Sequence, residues 1–397
     1  MFLPSLFDSY FLGGFECSSH RRRHGRRLDL LAMTGHDRAA AQDYRWMVRH
    51  GIRTVRDGVR WHLIETSPGR YDWSSFLPML HASRDVGVQV IWDLCHYGWP
   101  DGVDIWAPAF VERFSRFARA VAELVRNETD TIPFYCPVNE ISYWSWAGAE
   151  VARFNPLTRG RGLELKHQLV RAAIAAIEAI RSVDSRARIV QVDPVIQIVA
   201  RPGRPRDRKP AEDHRRAQFQ AWDMLSGQLW PGLGGKPGYL DILGVNYYST
   251  NQWFLGGGTI ELGHPLYRPF RDILAEVHQR YERPLFVAET GAESEARAPW
   301  LRYVSGEVRS AVEAGNPVEG ICLYPIADYP GWTNGRHCRV GLLGLPDKQG
   351  RRAVYQPLAD ELRRQQATFD GRFRYQEWRV DVADAVVSDA LCRTGSS

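Results

Sequence analysis

Residues 38–59, RAAAQDYRWMVRHGIRTVRDGV, decide the fold. Positions 38–50 carry apolar residues at helical spacing, Gly51 interrupts them, and IRTVRDGV follows as a short apolar strand. The same joint recurs twice. Residues 75–86 (SFLPMLHASRDV) pass through Gly87 into VQVIWDL, and residues 300–314 pass through Gly315 and Asn316 into VEGICLYPI. Each time a helix stops at a left-handed glycine and feeds a strand. Further strand-like runs are FLGGFE (11–16), FYCPV (134–138), ARIVQVD (187–193), LDILGVNYY (240–248) and LFVAE (285–289). With them the chain offers eight strands.

Helical patterns separate most of these strands, clearest at 108–126 (PAFVERFSRFARAVAELVR) and 163–182 (LELKHQLVRAAIAAIEAIRS). The strands are near-continuous apolar runs, as a parallel sheet covered on both faces requires. Eight of them alternating with helices predict a (β/α)₈ TIM barrel with extended βα loops. A doubly wound sheet is the alternative, but no GxGxxG opens a helix after a strand. The barrel is expected as a single domain over 1–365, followed by a C-terminal tail over 366–397. Two internal segments fall outside the repeat: RPGRPRDRKP (201–210) reads as a solvated, mobile basic loop, and 251–268 as a long loop after strand six.

Composition narrows the class. With 51 Lys/Arg against 46 Asp/Glu, the net charge of +5 is too small to imply a nucleic-acid partner. Hydrophobic residues make up 44%, enough for a large core. The 6 cysteines, at 17, 95, 136, 322, 338 and 392, form no CxxC pair and read as reduced, buried thiols. Neither a disulfide frame nor a metal site is expected. No secretory signal and no apolar run of membrane-spanning length is visible, so the expected setting is cytoplasmic, with no membrane partner.

Barrels of this kind place their chemistry at the C-terminal ends of the strands. Two carboxylates lie there: Glu140, in YCPVNE after strand four, and Glu289, in LFVAET at strand seven. The same dipeptides at 65–66 and 127–129 sit in polar loops or at a helix end. Two carboxylates facing each other across a barrel mouth suit glycoside cleavage, one as acid and the other as nucleophile or base.

Other motifs fall in register with this reading. RDGVRW holds Arg56 and Trp61; CHYGWP holds His96 and Pro100; Asn139 precedes Glu140; NYY covers 246–248; and YPIADYPGW holds Asp328 and Trp332. In this order they resemble the motifs of family 1 glycoside hydrolases and their wider clan of retaining (β/α)₈ enzymes, over roughly residues 10–365. The resemblance implies Glu289 as nucleophile and Glu140 as acid/base. It also implies that Arg56 and the Tyr248 hydroxyl hold Glu289, that Asn139 meets a sugar 2-hydroxyl, and that His96 binds substrate. A cation and hydrogen bonds are then expected to keep the Glu289 pKa low, and burial to keep that of Glu140 high. The carboxyl groups should lie roughly 5–5.5 Å apart, the retaining separation.

Trp99, Trp106, Trp144, Trp146 and Trp332 fall in candidate mouth loops, where flat faces can stack on sugars. The pattern also departs from the family. The family's Gln after strand one is missing from GGFECSSHRRR, Gly331 stands where a Glu is usual, and Tyr324 where a Trp is usual. Glu16 and His20 are the candidates to replace the lost hydroxyl contacts. The substrate is therefore expected to be a carbohydrate or glycoside, with weak turnover of simple glucosides and better turnover of deoxy, methylated or charged sugars. The run HRRRHGRR (20–27) reads as a solvated loop, or alternatively as a clamp for an anionic sugar or acidic acceptor. No cofactor, metal or nucleotide is implied. The alternatives to a retaining β-glycosidase are a transglycosidase on the same site and a catalytically silent carbohydrate-binding barrel.

Overall fold

The computed structural model describes residues 6–370. Eight strands close into a parallel barrel in sequence order: β1 (Phe11–Gly14), β2 (Thr54–Gly58), β3 (Gln89–Asp93), β4 (Phe134–Cys136), β5 (Arg188–Pro194), β6 (Ile242–Asn246), β7 (Leu285–Thr290) and β8 (Val318–Leu323). The helices α1 (His36–Arg49), α2 (Leu77–Val86), α3 (Pro108–Glu128), α4 (Gly162–Val183), α5 (Phe270–Tyr281), α6 (Arg297–Glu313) and α7 (Gln356–Asp370) flank it. Gly51, Gly87 and Gly315 adopt φ of 72°, 73° and 88°, the left-handed joints that the sequence requires.

Leu12, Ile91, Phe134, Val190, Ile242, Phe286 and Cys322 fill the barrel interior. A second, larger apolar layer lies between strands and helices, where Phe110, Phe114 and Phe117 of α3 cover Trp61. Five cysteines are buried and unpaired, while Cys392 lies outside the described residues. No helix among the described residues is long and apolar enough to cross a membrane.

Three boundaries differ from the sequence reading. Residues 205–207 form a 3₁₀ turn, and a helix follows over Arg208–Arg216, so the second half of the basic segment is ordered by helix formation. Within 251–268, Gln252–Phe254 pairs in parallel with Gln197–Val199. The last helix runs to Asp370, past the expected start of the tail, and 371–397 lie outside the described residues.

One irregularity positions the site. The β6–β7 ladder slips between Val287 and Glu289, and the β7–β8 ladder slips between Val287 and Thr290. A bulge re-aims the side chain at the strand end. Here it sets Glu289 opposite Asn246 at the mouth.

Candidate active site

Both singled-out carboxylates come together at the C-terminal mouth, beside a cavity of about 530 Å³ that they help to line. Glu289 is 5% exposed. Its Oε1 accepts from Arg56 Nη1 at 3.1 Å, and its Oε2 accepts from the Tyr248 hydroxyl at 3.0 Å. Glu140 is 8% exposed and opens the short helix Ile141–Trp144 with a φ of 50°. For a residue with a Cβ, that left-handed backbone costs about 1–3 kcal/mol and persists only where surrounding contacts fix it. They do. The Glu140 amide donates to Val192 O at 3.0 Å, Asn246 Nδ2 donates to Oε1 at 2.8 Å, and the Tyr97 hydroxyl donates to Oε2. Tyr97 itself has a φ of 66°, so strained backbone sits at both ends of this hydrogen bond.

Arg56 is the hub of the floor. It is fully buried, and Nη1 also reaches Ala288 O at 2.9 Å. Nη2 donates to Asp93 Oδ2 at 2.6 Å and to Asn139 Oδ1 at 3.1 Å, and the guanidinium lies 5.3 Å from the Tyr324 ring centre. Asn139 Nδ2 donates to His96 Nε2 at 3.0 Å and to the Tyr97 hydroxyl at 3.2 Å. His96 Nε2 is thus an acceptor, so Nδ1 carries the proton toward Asp93 Oδ2, 3.0 Å away. Cys17 Sγ lies 3.1 Å from the same nitrogen.

Electrostatics couple the two carboxyls. Burial raises Glu140 to about 7, against hydrogen bonds from Tyr97 and Asn246 that lower it, while the charge of Asp193 raises it further. Burial and the Glu140 charge raise Glu289 to about 8, and the pull of Arg56 and His96 does not offset them. The low Glu289 pKa expected from sequence is therefore corrected. In a site this dry, one cation shared with Asp93 cannot keep two neighbouring carboxyls ionised, and the pair retains a proton into the neutral range. The higher value on Glu289 would put the shared proton there, but Arg56 touches Glu289 and not Glu140, and that contact assigns the negative charge to Glu289 and the proton to Glu140.

The substrate-binding candidates divide. Glu16, His96, Tyr324 and Trp332 line the cavity. Tyr324 reaches it because β1 ends in glycine: a Cβ on Gly14 would sit 2.1 Å from its ring. Trp332 Nε1 is buried without a hydrogen-bond partner among the described residues. The others point elsewhere. Trp144 is fully buried against Tyr97 and Trp99, with its Nε1 on Asn155 O at 3.1 Å. Trp99 bonds Val103 O at 2.9 Å, and Trp106 stacks under Arg161 at 3.6 Å. His20 is buried against Phe154 and Trp332, and burial lowers its pKa to about 3. Asp328 accepts from His337 Nε2 at 2.9 Å and from the Gly341 amide at 2.8 Å, which fixes the strand-eight loop.

The arginine run is partly stitched to its surroundings and partly solvated, with Arg23, His24, Gly25 and Arg26 exposed as the solvated-loop reading expects, and it is not a clamp on the cavity. Arg21 pairs with Asp101 at 2.5 Å, Arg22 bonds Gly331 O at 2.8 Å, and Arg23 bonds Ala152 O at 3.1 Å. None of Arg21, Arg22 and Arg23 lines the cavity, so the charged-sugar expectation loses its footing.

Sequence reading missed Tyr97, although it sits inside the quoted CHYGWP. It missed what Asn246 does, although NYY was quoted. It also missed Asp193, a buried carboxyl raised to about 7 by burial, whose Oδ1 accepts from the Ser142 amide at 3.0 Å just past Glu140. Among the described residues, Cys17, Asp93 and His96 alone gather three metal-ligating atom types, within 4.8 Å of one another. Arg56 already places a cation on Asp93, and burial holds the thiol well above its usual range, so these groups close on one another by hydrogen bonds. A still larger cavity, about 760 Å³, lies at the opposite end of the barrel, where Gln89, Phe134 and Arg188 begin their strands. That end of such barrels serves stability.

No protein-family model matches the chain, and no curated protein sequence matches it. Solved structures do. The β-glucosidase from Thermotoga maritima in complex with glucoimidazole superposes with a TM-score of 0.70 at 16% identity, covering 83% of this chain and 86% of that one. The AHE enzyme from Alicyclobacillus herbarius gives 0.73 at 16% identity, covering 93% of this chain and 100% of that one. A hyperthermophilic β-glucosidase mutant gives 0.72 at 16%, covering 89% and 99%. The chain has the fold of the family 1 β-glucosidases.

Proposed function

We propose that the chain is a retaining β-glycosidase, a divergent member of family 1, with Glu289 as nucleophile and Glu140 as acid/base. The observation that supports it best is the pair of buried carboxyls lining one cavity at the barrel mouth, one member against the Arg56 cation and the other against the neutral donors Tyr97 and Asn246. Glu289 attacks the anomeric carbon while Glu140 delivers its proton to the leaving oxygen, giving a glycosyl ester on Glu289. Once that ester forms, the charge on Glu289 is gone, the Glu140 pKa falls, and Glu140 can take a proton from the incoming water.

Arg56 and Tyr248 aim Glu289 and stabilise it as leaving group in the second step. Asn139 is engaged on three sides, yet Oδ1 keeps a second lone pair for a sugar 2-hydroxyl. Glu16, whose Oε1 accepts from the Ser18 amide at 3.0 Å, and Trp332, whose indole N–H has no partner among the described residues, line the cavity as further sugar contacts. The solved neighbours include β-glucosidases bound to glucoimidazole and noeuromycin, which supports a sugar ligand here. The test is to treat the protein with an activated 2-deoxy-2-fluoro β-glycoside and map the labelled peptide. A covalent sugar on Glu289 and a β-configured first product support the reading. An α-configured product, or a label elsewhere, overturns it.

A further inference from the structure

Beyond Glu140 the mouth opens into a second cleft of about 670 Å³, and its walls differ in character from those of the carboxylate cavity. The two share Tyr143, Pro194, Thr250 and Asn251, so they are continuous. The charged residues that line the inner cavity are Glu16, Glu140, Glu289, Glu293 and Arg336, which pairs with Glu293, and His96 lines it too. The outer cleft carries Arg153, Lys166 and His214 with Tyr143, Trp146 and Trp253, and among the described residues no acidic side chain lines it.

The charges resolve to one. Lys166 is largely buried, bonds Gln220 Oε1 at 2.9 Å, and faces the Asp193 carboxyl. Burial lowers the pKa of His214, which keeps it neutral in the neutral range. Arg153 is exposed, no carboxylate among the described residues pairs with it, and its guanidinium lies 4.4 Å from the ring centre of Trp146, itself 37% exposed. An arginine without a carboxylate partner, bonded to the Tyr143 side chain and held over an exposed indole, offers a stacking face and a positive charge together.

Position says what the cleft holds. An acid/base must stand on the leaving-group side of the scissile bond, because its proton goes to the leaving oxygen. Ser142 and Tyr143, immediately past Glu140, form the wall where the cleft begins. We infer that this cleft receives the leaving group, and that it selects a flat aromatic ring bearing an acid group. The ring lies along Tyr143 and Trp146, and the carboxylate meets Arg153. This rests on Glu140 as the acid/base.

The experiment compares 4-carboxyphenyl and 4-carbamoylphenyl β-glucosides, which match in shape and differ in charge. The carbamoyl phenol is the better leaving group, so chemistry alone favours the amide. We expect kcat/KM to favour the carboxylate by about fivefold, as for a half-exposed ion pair, and R153Q to bring the ratio to one or below. Binding is read separately, through quenching of tryptophan fluorescence by free 4-hydroxybenzoate and by 4-hydroxybenzamide. Stronger quenching by the acid, lost in R153Q, supports the cleft even if neither glucoside is cleaved; that outcome would count against the glycosidase reading alone. If both glucosides turn over with the amide ahead and the acid does not bind preferentially, the inference fails while the glycosidase reading stands.

Discussion

Arg56 and Asp57 are neighbours on β2, and each anchors a buried ionic network of a different kind. Arg56 points into the barrel mouth, where it meets Asp93, Asn139 and Glu289. Asp57 points outward to the helices. Its Oδ2 accepts from His36 Nε2 at 2.8 Å and from the Tyr44 hydroxyl at 2.6 Å. His36 Nδ1 in turn reaches Asp43 at 2.8 Å, and Arg352 closes the set on Asp43 at 2.7 Å. The outer network balances two cations against two carboxylates, with Phe15 stacked 3.6 Å from His36. The inner one has one arginine for three carboxyls, Asp93, Glu140 and Glu289, and faces a cavity. A balanced, sealed network stabilises; an unbalanced one opening on a cavity stores reactivity.

Removing one carboxyl from each network breaks the comparison most directly. On the proposed mechanism, E289Q is expected to lower kcat/KM on an aryl β-glycoside by about 10⁴-fold or more, because that mechanism loses its covalent route. Its thermal midpoint should not fall, since a carboxyl that burial disfavours is replaced by a neutral amide. D57N is expected to do the reverse. It leaves His36 and Tyr44 facing an amide, and breaking a buried pair costs about 3–5 kcal/mol. Urea unfolding should show that loss, while kcat of the folded fraction stays within about twofold. A D57N enzyme of full stability, or an E289Q enzyme of full activity, would remove the distinction.

The pH dependence of stability sharpens it. Asp57 and Asp43 raise His36 to about 9, overcoming burial, which acts in the opposite direction. A histidine raised from its usual 6.5 stabilises fully below that value and loses the contribution as pH climbs through about 9, a term on the order of 3 kcal/mol. The inner carboxyls are also raised, from 4.5 to about 7 and 8, so they favour the folded state at low pH and lose that advantage across pH 4.5 to 8. Burial lowers His20 and His62 to about 3, and they act in the opposite direction below about pH 6.5. The two stages are therefore read as differences: the unfolding free energy of the wild type minus that of E289Q should fall across pH 4.5 to 8, and that of the wild type minus D57N across pH 6.5 to 9. E289Q should flatten the lower stage and leave the upper one intact.

Much of the inner network was legible in the sequence, because it lies on strand ends whose apolar runs and glycine stops are local signals. Arg56, Asn139, Glu140, Tyr248 and Glu289 all meet there, and His96 with them. The loops were harder. Trp99, Trp144 and Asp328 have the residue types of sugar contacts, yet packing against Phe110, Tyr97 and Arg297 turns them away, and no local pattern encodes which way a loop side chain points. The outer network was not legible at all. His36, Asp43 and Arg352 converge from positions up to 316 residues apart (352 − 36), and nothing in any one segment marks the meeting.

Tyr97 offers the finest test, because it belongs to the inner network by geometry while looking like packing. Its ring contacts Trp144, Phe154 and Trp332, and its hydroxyl donates to Glu140 Oε2. Y97F keeps the ring and removes the donor. A hydrogen bond to the ionised carboxylate favours that form and lowers the pKa of Glu140, so its loss must raise it. If Glu140 is the acid, the alkaline limb of kcat/KM against pH then moves to higher pH. The plateau should fall by about tenfold, the value of one hydrogen bond to a charged group, because the carboxyl is less firmly aimed. Packing alone predicts an unmoved limb and full activity. A limb displaced to lower pH would assign the titrating acid to another group and return Tyr97 to the core.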